Sequence, residues 1–74
     1  MSGETEKEIL KILEEALKRE RAAQNLYKRG ANLSTNPEIK AVFERLHSEE
    51  LQHEELLSGV YHDYKKRLGL KVLH

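Results

Sequence analysis

Glu50 and His53 stand three residues apart in the run SEELQHEELL, and three residues is close to one helical turn. A carboxylate and an imidazole at that spacing can reach the same metal ion. The apolar row through this region is Phe43, Leu46, Leu57, Val60 and Tyr64, and its spacing predicts core positions at 50 and 53. Ionisable groups at such positions are costly unless they are paired or coordinated. The first half of the chain repeats the conflict. Ile9, Leu13, Ala16, Glu20, Ala23 and Tyr27 follow a 4-3-4-3-4 pattern, with a carboxylate in the middle of it. The small neighbours Ala16 and Ala23 leave room for a buried Glu20 and its ligand. Glu20, Glu50 and His53 are therefore the candidate metal ligands. Carboxylate oxygen with imidazole nitrogen suits iron or manganese better than copper(I), with zinc as a competitor.

Three further residues are candidates for hydrogen bonding to those ligands. Tyr27 lies two turns beyond Glu20, about 10 Å along the axis, and His47 lies one turn before Glu50, about 60° round from it. Glu54 is one turn after Glu50. Glu49 and Glu55 read as a solvated acidic face, and Tyr61 and Tyr64 as packing residues. His62 falls on the side opposite His53.

Two helices must position this set. The first is expected over residues 4–29, with Thr5 or Ser2 as cap, Lys28 and Arg29 favourable at the negative end of the dipole, and Gly30 as the residue that ends it. A connector over residues 30–36 follows. Asn36-Pro37-Glu38 then reads as N-cap, proline at the first helical position and an acid in the first turn. The second helix is expected over residues 37–68, with Gly59 marking a bend or a close crossing, and residues 69–74 form a tail. So short a connector implies an antiparallel hairpin, all-α and a single domain over residues 1–74. Folding about residues 33–35 brings Glu20 level with Glu50 and His53. Two helices cannot enclose a core. Leu10, Leu17, Leu26 and Leu33, with Leu51 and Leu56, lie off the main rows and are expected to need cover from another chain. A two-fold dimer forming a four-helix bundle is the simplest closure.

The bulk properties narrow the function. The chain has 74 residues, 35% of them charged and 38% hydrophobic, one proline and no cysteine. Without cysteine there is no disulfide, zinc–thiolate site or iron–sulfur cluster within these residues. Thirteen basic residues balance thirteen acidic ones, so no net field favours nucleic acid or an anionic membrane. The start MSGETEKEIL is acidic and unlike a signal peptide, and no apolar run approaches the roughly 20 residues that span a bilayer. The expected location is the cytoplasm.

Glu20 followed seven residues later by Tyr27, then Glu50-x-x-His53 in an acidic run, resembles the rubrerythrin and ferritin-like superfamily. The likeness is greatest to encapsulated ferritins, half-bundles with one Glu and one Glu-x-x-His per chain. The thirty-residue gap from Glu20 to Glu50 and the connector STNPEI are similar as well, and the likeness covers roughly residues 8–60. It implies a di-iron ferroxidase assembled across a dimer interface, with Glu20, Glu50 and His53 of two chains as ligands and Fe(II) oxidised for storage or detoxification. Manganese or zinc are substitutes, and a higher homo-oligomer and an encapsulin shell are the implied partners. The segment Leu68-Gly69-Leu70-Lys71-Val72-Leu73 is similar to peptides that load cargo into such shells, which would place the chain in an encapsulin compartment. Departures are clear. Arg19 and Ala22 stand where encapsulated ferritins carry acids for metal uptake, and Leu26 replaces an aromatic beside the tyrosine. A rubrerythrin-like peroxide reductase using the same ligands is the second enzymatic reading. A metal-free helical interaction module, its polar seam residues setting register, is the third.

Overall fold

The computed structural model describes residues 2–69. It is a helical hairpin. Helix α1 runs Ser2–Leu33 and helix α2 runs Pro37–Arg67, packed against each other along their length, with no strand among the described residues. The particle measures 53 × 19 × 15 Å, one helix length by one hairpin width. No helix is long and apolar enough to cross a membrane.

The turn is built as its residues dictate. Asn36 adopts an extended backbone, φ −88° and ψ 119°, and its side-chain oxygen accepts from the backbone N–H groups of Glu38 (2.8 Å) and Ile39 (3.1 Å). Pro37 occupies the first helical turn, where its missing N–H costs nothing. Ser34 closes the preceding helix by donating its N–H to the Gly30 carbonyl, and its hydroxyl donates to the Asn36 carbonyl. At the far end Lys65, Lys66 and Arg67 complement the dipole of α2, and Gly69 ends it at φ 69°. Most of the cargo-like segment, residues 70–73, lies outside the described residues.

Helix α1 continues to Leu33 and does not stop at Arg29. Gly30 is not a terminator. It sits within the helix where the Phe43 ring presses on the backbone, and a Cβ added there would meet three ring atoms at 2.8–2.9 Å. The glycine permits close approach, and Tyr27 stacks on the same ring with centroids 6.4 Å apart. Gly59 marks no close crossing: helix α2 runs through it, and nothing lies within 4 Å of an added Cβ.

The seam also differs from expectation. Leu10, Leu17 and Ala31 are the buried residues, at 7%, 8% and 6% exposure, so Leu10 and Leu17 are covered by α2 and need no second chain. Ile9 and Val60, expected in the seam, are 40% and 46% exposed. The apolar arc of α1 is wider than one neighbour can cover, and α2 takes one edge of it. The remainder forms a flank. By helical register Ile9, Ile12, Leu26 and Leu33 share one side of the hairpin with Ile39, Val42, Leu56 and Val60, all exposed; Leu51 alone falls on the other side. Solvent-facing pairs such as Arg45–Glu49 add only a few tenths of a kcal/mol each.

The two glycines should respond oppositely to alanine. Gly59→Ala gains about 1 kcal/mol of helix propensity in open space. Gly30→Ala gains the same but must displace the Phe43 ring, an overpacking cost of about 1–3 kcal/mol. Thermal unfolding should show Gly59→Ala shifted up by roughly 4–8 °C and Gly30→Ala shifted down. A rise for Gly30→Ala would show that the ring moves freely.

Candidate metal centre

Glu20 lies fifteen residues before Thr35 and Glu50 fifteen after it, so an antiparallel fold about that residue sets them level. Glu50 and His53 follow one turn apart on α2. One ligand atom from each of Glu20, Glu50 and His53 falls within 4.8 Å of the others, forming a group able to hold a metal ion.

The internal bonding of this group is incomplete. His53 Nδ1 lies 2.7 Å from Glu50 Oε1 and 3.4 Å from Glu20 Oε2. An imidazole carries one hydrogen on Nδ1, and at these distances it goes to Glu50. Glu20 Oε2 is left buried with no hydrogen-bond partner. Such an atom costs free energy unless something else satisfies it. The Glu20 and Glu50 side chains are 20% and 17% exposed, whereas His53 is 58% exposed and opens towards the apolar flank.

The electrostatics follow from that geometry. Burial, reinforced by the facing Glu50 carboxylate and only partly offset by His53, holds the Glu20 carboxyl above its usual range. The hydrogen bond to Glu50 raises His53 above the usual imidazole value, aided by the charges of both carboxylates and opposed by partial burial. Without a cation the group therefore holds protons more tightly than the free side chains do. A divalent ion would take their place, accept the unbonded Glu20 oxygen and neutralise the repulsion. Two carboxylates and one imidazole with its Nδ1 turned inward fit iron, manganese or zinc.

The other candidates lie outside this group. The Tyr27 ring packs on Phe43, nearer the turn. His47 lines an open groove with Lys28, Ala31, Asn32, Glu44 and Ser48, on the side of the hairpin away from the apolar flank. His62 packs edge-on against Tyr61.

Glu54 is engaged elsewhere. Its two oxygens accept from Arg21 Nε and Gln24 Nε2, each at 2.7 Å. The hydrogen bond from Arg21, then that from Gln24, hold its carboxyl below the usual range. Sequence reasoning missed Arg21 and Gln24. A signal was present, since Leu10, Leu17, Gln24 and Ala31 form a seven-residue repeat with one polar member. It also missed the Tyr61 hydroxyl, which donates to Glu14 Oε2 at 2.7 Å and joins the helices near their open ends.

No curated protein and no solved structure matches this chain. The family model described as rubrerythrin matches residues 11–74, most of the sequence. Members of that family are ferritin-like and typically bind two irons. With the hairpin, the Glu-x-x-His pair and the facing carboxylate in view, the chain belongs to the rubrerythrin family.

Proposed function

We propose that two copies of this chain pair through their apolar flanks and act as a ferroxidase of the encapsulated-ferritin type. The observation that carries the reading is the Glu20–Glu50–His53 group with its unbonded, buried Glu20 oxygen. One chain supplies half of a di-iron carboxylate set, and a two-fold pair supplies four carboxylates and two imidazoles. The apolar flank gives the pairing its driving force, and the exposed side of His53 faces that flank. Fe(II) is the substrate. As it binds, His53 Nδ1 gives up its bond to Glu50 and its hydrogen, which the imidazolium releases to water and the neutral ring exchanges through water for one on Nε2, and Glu20 releases any proton it holds to water. Two Fe(II) give one electron each to dioxygen, which takes up two protons, yielding two Fe(III) and hydrogen peroxide. A hairpin cannot enclose a mineral, so storage of Fe(III) falls to a higher homo-oligomer or an encapsulin shell.

The family match supports a second reading, peroxide reduction with the same ligands. These residues contain no cysteine to ligate a second iron centre, so the electrons would come from outside them. Peroxide turnover with a supplied donor, outrunning iron oxidation by oxygen, would favour that reading.

Anaerobic Fe(II) titration with sedimentation should give about one iron per chain and a shift from one chain to two or more. His53→Ala should slow oxidation at least about tenfold while circular dichroism shows the helices intact. Oxidation at the original rate would remove His53 from the centre.

Proton linkage provides an independent check. Glu20 and His53 both have raised values, so the folded chain binds more protons than the unfolded one. Their contribution is full below the unfolded values of 4.5 and 6.5 and is lost as pH rises through the folded ones. In chelator, denaturation should show the His53 contribution falling from about pH 5.5 to about pH 8, a trend His53→Gln flattens. With Co(II) present the trend should reverse, because the metal needs both groups deprotonated. Equal stabilisation by Co(II) at both pH values would contradict the ligand set.

A further inference from the structure

Behind the ligand group, on the side away from the apolar flank, Arg21, Gln24 and Glu54 form a closed set of bonds between the helices. Arg21 Nε donates to Glu54 Oε2 at 2.7 Å, and Gln24 Nε2 donates to Glu54 Oε1 at 2.7 Å. The same Gln24 nitrogen lies 3.5 Å from the backbone carbonyl of Glu50. Each of these residues adjoins a ligand. Arg21 follows Glu20 in sequence, Glu54 follows His53, and Gln24 is one turn from Glu20.

The placement answers a mechanical problem. Glu20 and Glu50 bring two carboxylates together across the seam, and nothing apolar is fully buried between Leu17 and Ala31 on α1. The facing Glu50 carboxylate disfavours charge on Glu20 here, and His53 offsets this only in part. Opposite charge one step behind the carboxylates supplies the missing attraction, and the Gln24 bond ties it to the Glu50 backbone. Glu54 is 25% exposed and both its oxygens are bonded, so the pair is better shielded than the solvent-facing ion pairs of this hairpin.

We propose that the Arg21–Gln24–Glu54 clasp is a positioning device that holds Glu20 opposite Glu50 and His53 before any metal arrives, and so sets the metal affinity of the centre. The clasp touches no metal. It acts through the spacing and register of the two helices at one level, and as a route to metal affinity it rests on the metal reading of Glu20, Glu50 and His53.

The test is Co(II) titration of the full chain, followed by its visible absorption, alongside amide hydrogen exchange in chelator. Arg21→Ala, Gln24→Ala and Glu54→Gln should each weaken Co(II) binding about tenfold, the scale set by outer-shell partners of metal ligands. The absorption at saturation should be unchanged, because the ligands are unchanged. In chelator, exchange should accelerate at residues 20–24 and 50–54 and nowhere else. Arg21→Glu and Glu54→Arg should each be weaker still, and the double swap should recover affinity to within about threefold of the original, a rescue that general loss of packing would not give. Helicity and sedimentation serve to exclude unfolded or dissociated variants. Unchanged affinity in the three single variants, or a double swap no better than its parents, would overturn the clasp. Absence of Co(II) binding by the original chain would overturn the metal reading and the affinity role together. The exchange pattern would still report whether the clasp holds the helices.

Discussion

The structure turns on two carboxylates facing one another across a helical seam with a single imidazole between them. His53 can satisfy one oxygen and gives its hydrogen to Glu50, leaving Glu20 with a buried acceptor and no donor. A folded chain does not ordinarily tolerate such a group for stability alone, since replacing both partners with apolar residues would remove the penalty. The arrangement is intelligible when a cation belongs there. The surrounding features are consistent with it: small residues beside Glu20, raised proton affinity at Glu20 and His53, and a second layer of opposite charge behind the candidate ligands.

That second layer divides the hairpin into two unlike sides. One carries Arg21, Gln24 and Glu54, and further along Glu14 hydrogen-bonded to Tyr61 beneath the Lys65 ammonium. The other is the apolar flank, whose isoleucines, leucines and valines are exposed and beside which His53 opens. Under the proposed pairing, the second chain would pack on the flank beside His53.

Much of this was legible in the sequence. Asn36-Pro37 marks the turn because capping and proline chemistry are local, and the Glu20/Glu50/His53 triad follows from periodicity plus an equal count on either side of that turn. What escaped depends on the choice among overlapping faces. An α1 arc containing Ile9, Leu10, Leu13, Ala16 and Leu17 fits several seams, and only the packed partner decides that Leu10 and Leu17 are inside. Gly30 misleads for a similar reason: a glycine near an expected helix end reads as a stop, whereas its purpose is set by an aromatic ring thirteen residues away. Arg21 and Glu54 are ordinary charged residues until the helices are placed side by side.

The thinness of the core connects stability to chemistry. Three buried residues among those described cannot by themselves offset the entropy of ordering two helices of 32 and 31 residues. Covering the flank supplies apolar burial, and a metal that binds only the folded arrangement adds its binding free energy to folding. In the proposed pair the two contributions would reinforce each other, because pairing would bring the second set of ligands and the ligands would fix the register of pairing. A chain so built has little reason to hold its helices rigidly at the centre when alone, except where the clasp behind the carboxylates does so. On the proposed reading, the segment that most needs order before metal binding is the one the sequence furnishes with cross-helix hydrogen bonds.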